Sequence, residues 1–279
     1  GIPATHWHAH PIEFIRHFRK CGWFSVNDLA QCIPRRIGGV TINWATANGR
    51  AATHHLSTSQ MFRKYHASSR IRQIHLLAQI HTETGFLRTI VEGGAGNGHP
   101  YGAFYGRGYL QLTWLANYKS YGVYRAFPNH TGAYADSRIT ATSTHQREDP
   151  GSTPPPPGSP PGTPPTPNPP VMEIWSPKYD PDILSSNIFN AADSGGYYWV
   201  TKHYRGTSNL WKIADGGLEP RFVAFANWAV NGGGNGYAER HRDARYLFGV
   251  LGDEVPLIGD ENWHYPQLSR AIWGTVPPG

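Results

Sequence analysis

The stretch DPGSTPPPPGSPPGTPPTPNPP, residues 149 to 170, places 12 prolines in 22 positions and shows no periodic apolar pattern. Each proline fixes its φ and removes a backbone donor, so such a run cannot form a helix interior or a central strand. It is expected to be extended and largely solvated. As polyproline II it would reach roughly 65 Å, at about 3.1 Å per residue. It therefore either separates two domains or leaves a single domain as a long surface insertion, and the motifs on either side must decide.

Around this tract the apolar spacing is helical. Residues 12 to 33 read as two helices, the first with Ile12, Ile15 and Phe18 on one side. The second opens at Ser25 as N-cap with Asp28 three residues on, carries Val26, Leu29, Ala30 and Ile33 on one stripe, and stops at Pro34. Residues 70 to 84, RIRQIHLLAQIHTET, repeat the pattern through Ile71, Ile74, Leu77 and Ala78, with Gly85 placed to end the helix. Residues 221 to 230 form another, with Phe222, Phe225, Ala226 and Ala229 on one face, broken by Asn231-Gly232-Gly233-Gly234. The Gly- and Tyr-rich segments 93 to 109 and 193 to 199 are expected to supply tight turns and close approach of a ligand to the main chain.

Composition narrows the function classes. The 279 residues suffice for one large domain or two small ones with a sizeable core, and 39% are hydrophobic, with 10 Trp and 15 Tyr. No apolar run approaches the roughly 18 to 20 residues needed to cross a bilayer, so a soluble protein without membrane insertion is expected. A basic segment leading into an apolar signal-peptide core is not seen at the start, which points to another export route or to a piece of a longer chain. Cys21 and Cys32 are too few for a disulfide framework and read as buried thiols. A net charge of +6 and a pI near 9.3 suit an anionic partner. Lys and Arg are scattered and match no nucleic-acid-binding signature, so nucleic acid is not the expected one. His6, His8 and His10 in HWHAH, and His54-His55, lack accompanying Cys or carboxylate ligands, so neither a metal nor a cofactor is expected.

The chemistry is concentrated in HTETGFLRTIVE, residues 81 to 92, where Glu83 and Glu92 stand nine positions apart. Hydrolysis of a glycosidic bond uses one protonated carboxyl as acid and one ionised carboxylate as base. Glu83 lies at a helix C-terminal edge beside Ile80 and Phe86, with Tyr105 a further candidate neighbour, and both the dipole and desolvation there favour its neutral form. Glu92 lies in a glycine-rich, wetter stretch and is expected to stay ionised. Further on, AFYGRGYLQLTWLANY, residues 103 to 118, gathers Tyr105, Arg107, Gln111, Thr113, Asn117 and Tyr118, the mixed aromatic and hydrogen-bonding surface a sugar needs. A core accounts for Leu110, Leu112 and Trp114 but leaves Gln111 and Asn117 unexplained.

AQIHTETGF and FYGRGYLQLTW resemble the two signature segments of glycoside hydrolase family 19, the chitinase-like and endolysin-like enzymes. AADSGGYYW, residues 191 to 199, resembles that family's Ser/Gly-aromatic-Trp helix, and WAVNGGGNGYAER, residues 228 to 240, its Asn-Gly-Gly motif followed by a basic residue. Order and approximate spacing are kept from residue 70 to about 248. The resemblance implies a mainly α, lysozyme-like domain of two lobes with long loops and a substrate cleft, acting by inversion. It also implies that Glu83 is the general acid and that Tyr105, Gln111, Asn117 and Asn231 hold the sugar and the catalytic water. In the plant chitinases the second glutamate lies further along a longer loop; the shorter bacterial and phage members are closer to this sequence. Glu92 is the only Asp or Glu between Glu83 and the YGRG segment, which makes it the candidate base. Since motifs occur on both sides of the proline tract, residues 1–279 are expected to form one catalytic domain interrupted at about 149–170.

Chitin and peptidoglycan both present β-1,4-linked N-acetyl sugars. Positive charge, short loops and the segment FRKCGWFSVNDLAQCIPRR favour peptidoglycan, the last because it is similar to segments preceding such domains in bacterial type VI secretion effectors. The chain is then a toxin domain at the C-terminus of a larger effector, acting as a monomer in a rival's periplasm. Its expected partners are peptidoglycan glycan strands, an immunity protein and a secretion-machine carrier. The alternatives are a chitinase, a lytic transglycosylase, which has no need of Glu92, and a non-catalytic wall-binding module, which has no need of Glu83.

Overall fold

A computed structural model of the protein describes residues 23–252 apart from 38, 39 and 207. The helix expected from residue 12, the HWHAH segment and Cys21 lie outside the described residues. About half of the described residues are helical and the strands are two or three residues long, so the chain is mainly α as its periodicity predicts. No helix among the described residues is long and apolar enough to cross a membrane. The chain divides into two compact units, one formed by Thr89–Gly195 and the other by the described residues before and after it.

In the flanking unit, helix Arg70–Thr84 is the central element. Ser69 caps it by accepting from the Arg72 N–H, and Gly85 ends it in the left-handed region at φ 56°. The sequence predicts a single apolar stripe, yet burial runs from Gln73 through His81 without interruption. The run includes polar groups, some of which find partners inside the unit. Gln73 accepts from Arg70 and donates to the Ala67 carbonyl, and a His75 ring nitrogen lies 2.8 Å from the Gly217 carbonyl. Helices Leu210–Asp215, Pro220–Asn231 and Tyr237–Leu251 pack against it. Helix Val26–Cys32 forms where its capping box predicts: the Ser25 side chain accepts from the Asp28 N–H while the Asp28 side chain accepts from the Ser25 N–H. Cys32 is a buried free thiol, as expected.

Helix Trp44–Lys64, which packs on Val26–Cys32, is absent from the apolar-periodicity reading. Its buried residues are Ala47, Ala51, His54, Thr58, Ser59, Met61 and Phe62, most of them small or polar. Asn43 caps it by accepting from Thr46 N–H. His54 belongs to this core face, and burial lowers its pKa to about 4, so it is neutral at pH 7.

Thr89–Gly195 is built around Phe104, Tyr109, Tyr118, Tyr121 and Trp175, all buried. Phe104 meets Tyr118 and Trp175 edge to face at 5.5 and 5.0 Å, an arrangement aromatic rings prefer. Strands Thr144–Gln146 and Met172–Ile174 pair antiparallel, with Gln146 opposite Met172. The proline tract leaves and returns through this pair, and inside it only Ser152–Thr153 and Thr166–Pro167 form a second, exposed pair. Both ends of the tract are thus anchored in the same unit.

The segment 193 to 199 corrects an expectation. It lies inside helix Ile188–Thr201 and supplies no turn. Its glycines are needed for packing: a Cβ at Gly195 would stand 2.8 Å from the Tyr109 Cβ, and one at Gly196 would stand 2.1 Å from the Tyr65 ring. Any side chain would force these neighbours apart.

Candidate functional site

Glu83 occupies the last turn of helix Arg70–Thr84, one position before the residue that locks the turn. Thr84 Oγ1 donates to the Ile80 carbonyl at 2.6 Å and accepts from the Leu87 N–H at 2.9 Å. Gly85, Phe86 and Leu87 then run consecutively in the left-handed region, at φ 56°, 61° and 57°. Two non-glycine residues there are costly, so the turn persists only because its surroundings hold it. Arg50 does part of this by donating to the Gly85 and Phe86 carbonyls at 3.2 and 2.9 Å.

Two polar pairs join this helix end to helix Tyr237–Leu251. His81 Nδ1 lies 2.7 Å from Asp243, both buried, and the Glu83 carboxylate accepts from the Arg240 guanidinium. Arg240 is itself buried and also donates to the Asn235 carbonyl at 3.0 Å. Gly236 makes room for it, since a Cβ there would meet Arg240 Nη1 at 2.2 Å. Burial pushes the Glu83 carboxyl above its ordinary range, and the Arg240 charge pulls back against that shift. Burial likewise raises Asp243, opposed by His81. Asn231 ends helix Pro220–Asn231 and donates to the Asn235 carbonyl at 2.8 Å, closing the glycine loop that precedes Arg240.

Thr89–Gly195 holds the remaining sequence-predicted residues. Glu92 is half-buried, and both its oxygens are engaged: the Tyr101 hydroxyl donates to Oε1 at 2.6 Å and the Gly106 N–H to Oε2 at 2.7 Å. Its own N–H donates to the Gly106 carbonyl at 2.9 Å. Glu92 is thereby fixed by three hydrogen bonds, two of them to Gly106 of the YGRG segment. Tyr101 stacks on His99 at 4.9 Å and meets Trp114 edge to face at 5.3 Å, giving an aromatic group beside the carboxylate. Burial and the Glu92 charge both push the Tyr101 hydroxyl pKa up, so it remains a donor.

Arg107 and Tyr118, expected on the sugar-holding surface, are fully buried. Arg107 donates to the Ala103 carbonyl and the Tyr118 hydroxyl, each at 3.0 Å, pairs with Asp182 at 2.5 Å, and lies over the Tyr105 ring at 3.6 Å. The Tyr118 hydroxyl donates to the Tyr105 carbonyl at 2.6 Å. These groups are spent on holding residues 103 to 106, whose last member grips Glu92. Tyr105 is nearly buried, at 7% exposure. Gln111, Thr113 and Asn117 are half-buried and lie along one short stretch. Thr113 donates to the Gln111 carbonyl at 2.8 Å and Asn117 to the Thr113 carbonyl at 2.7 Å, which leaves their acceptor oxygens for a ligand's hydroxyl or amide groups. Gln111 sits at φ 48° and Trp114 at φ 74°, two further left-handed positions in this stretch.

The sequence signals neither Tyr101 as the partner of Glu92 nor Arg240 as the partner of Glu83. Tyr101 lies in a glycine-rich run with no periodicity to orient it. Arg240 is 157 positions from Glu83, although the basic residue after the Asn-Gly-Gly segment is its visible trace. No group of three or more His, Cys, Asp or Glu among the described residues is arranged to hold a metal ion.

Two solved structures of chitinase C are similar to this chain. The one from Streptomyces griseus is 19% identical with a TM-score of 0.46, covering 82% of this chain and 92% of that one. A chitinase C mutant is 17% identical with the same TM-score and coverage. No protein-family model and no curated protein matches the chain.

Proposed function

We propose that this chain is a glycoside hydrolase acting on β-1,4-linked N-acetyl sugar polymers, with bacterial peptidoglycan as its substrate. The observation that carries this reading is the contrast between its two motif glutamates. Glu83 is a desolvated carboxyl at a helix end whose burial favours the protonated form. Glu92 is a carboxylate gripped by a hydroxyl and a backbone N–H. In the proposed reaction Glu83 gives its proton to the leaving glycosidic oxygen. Glu92 takes a proton from the water that attacks the anomeric carbon from the opposite face, with inversion. Arg240 then stabilises the Glu83 carboxylate that this leaves behind. Gln111, Thr113, Asn117 and Asn231 bind the sugar and the water; Arg107, Tyr118 and Tyr105 hold the segment that grips Glu92. Water and two carboxyls complete the chemistry, with no cofactor or metal.

The chain is a single lysozyme-like catalytic domain with the proline tract as an insertion, acting as a monomer on the anionic wall, which its +6 charge suits. It serves as a toxin delivered into a rival's periplasm by type VI secretion, with an immunity protein in the producer. The first test is product analysis. Mass spectrometry of digested sacculi beside colloidal chitin should show reducing ends released from sacculi. Anhydro-muramyl ends would replace this reading with a transglycosylase, and release from chitin alone with a chitinase.

A further inference from the structure

A hollow of about 270 Å³ opens on Thr89–Gly195, and none of the residues assigned a role above lines it. Its floor is apolar: the Tyr179 and Phe127 rings lie 4.9 Å apart, and Tyr179 rests on Gly122, where a Cβ would meet the ring at 2.3 Å. Its rim is cationic. Lys119 and Lys178 reach the same oxygen of Glu173, at 2.7 and 3.6 Å. Two ammonium groups facing one carboxylate leave one positive charge unbalanced at the mouth. Both lysines stay partly exposed, at 44% and 33%, and so can turn towards a ligand. Asn129 adds a side-chain amide, able both to donate and to accept.

An apolar floor under surplus positive charge suits a short aliphatic chain that ends in a carboxylate. The volume is below the usual range for a drug-sized ligand and matches a fragment of one or two residues. Neutral sugars offer nothing to the charge. In a bacterial wall the stem peptides offer free carboxylates beside aliphatic side chains, whereas chitin has acetyl methyls but no carboxylate. We propose that this hollow is a subsite for the stem peptide of peptidoglycan, with Lys119 and Lys178 on a carboxylate and Tyr179 and Phe127 under its aliphatic part. The inference rests on the wall-hydrolase reading.

The test is titration of the full chain with synthetic L-Ala–γ-D-Glu–meso-diaminopimelate, followed by NMR and read without turnover. Saturable binding is expected, weakened about tenfold in Lys119→Gln/Lys178→Gln and by rising salt, as a screened charge contact requires. Lys119→Arg/Lys178→Arg, which keeps both charges, should bind within about threefold of the parent. In hydrolysis assays the Gln pair should raise KM for intact sacculi and leave amidase-stripped glycan strands unaffected. Equal affinity of parent and Gln pair, no tripeptide binding, or full competition by inorganic phosphate or neutral chito-oligosaccharide would overturn the subsite. A chain that binds the tripeptide through these lysines yet cuts no sacculi would overturn the hydrolase reading alone.

Discussion

Glu83 and Glu92 are nine residues apart in sequence, yet their carboxyls are held by different means. Glu83 projects from a helix whose position is set by burial on nearly every side, and its hydrogen-bond partner, Arg240, comes from a neighbouring helix. Glu92 sits in a loop of glycine turns and owes its orientation to Tyr101 and Gly106. The first arrangement uses desolvation and a distant charge; the second uses local hydrogen bonds. A surrounding that excludes water raises a carboxyl's pKa, whereas donors on both oxygens fix its geometry. The difference matches the two tasks proposed for them, proton donor and water-activating base.

The comparison is broken most directly by Glu83→Gln. Turnover of sacculi is expected to fall by a factor of about 10² to 10⁴, typical of general acid-base catalysis, while binding to the wall persists. Full lytic activity would remove Glu83 from the mechanism. Glu92→Gln is expected to lose most hydrolysis too, near the lower end of that range; activity within a few-fold of the parent would move the base elsewhere. His81→Ala should leave the Asp243 carboxyl buried without its partner and cost on the order of 3 kcal/mol in denaturant unfolding.

A pH profile sharpens the contrast. The proton-donating form of Glu83 is the neutral one and burial raises its pKa, so activity should fall on the alkaline side as pH rises through that elevated value, while the acid limb reports protonation of the base. Arg240 holds the pKa down, so Arg240→Gln should carry the alkaline limb of kcat/KM to higher pH. A limb that stays put would mean that another group sets it. Tyr101→Phe frees one oxygen of Glu92 and is expected to reduce kcat roughly tenfold with KM little changed, since one lost hydrogen bond to a charged group is worth about 1.5 kcal/mol or more. The smallest effect should come from deleting residues 151 to 168, leaving a folded chain with a thermal midpoint within about 3 °C of the parent. Loss of cooperative unfolding would contradict the insertion.

Legibility in the sequence followed the size of the side chains. Ser25 with Asp28, Gly85, and the break after Asn231 are strong local signals, and the helices they bound are found where they predict. Helix Trp44–Lys64 is hard to read from sequence because small or polar side chains make up most of its buried face, and Met61 and Phe62, both near its end, are too few to mark an apolar period. Gly195 and Gly196 read as turn residues because sequence records their freedom but not the tyrosines lying against them. At the site, residue types were legible and their depth was not. Arg107 and Tyr118 carry the polar groups a sugar would want, yet all of their bonding is inward. Cross-helix partners such as Arg240 depend on tertiary pairing, which no local pattern specifies.

The strand pair in the proline tract has a consequence for the life of the protein in crowded solution. A long exposed arm of extended backbone is ordinarily a template on which another chain can add a strand. Here the outer pair is two residues long on each side and one of its members is Pro167, which has no N–H to offer. Prolines before and after it thin the row of donors further. The tract can therefore extend far from its unit without becoming sticky, and length that would be hazardous in a valine-rich hairpin is harmless in this one.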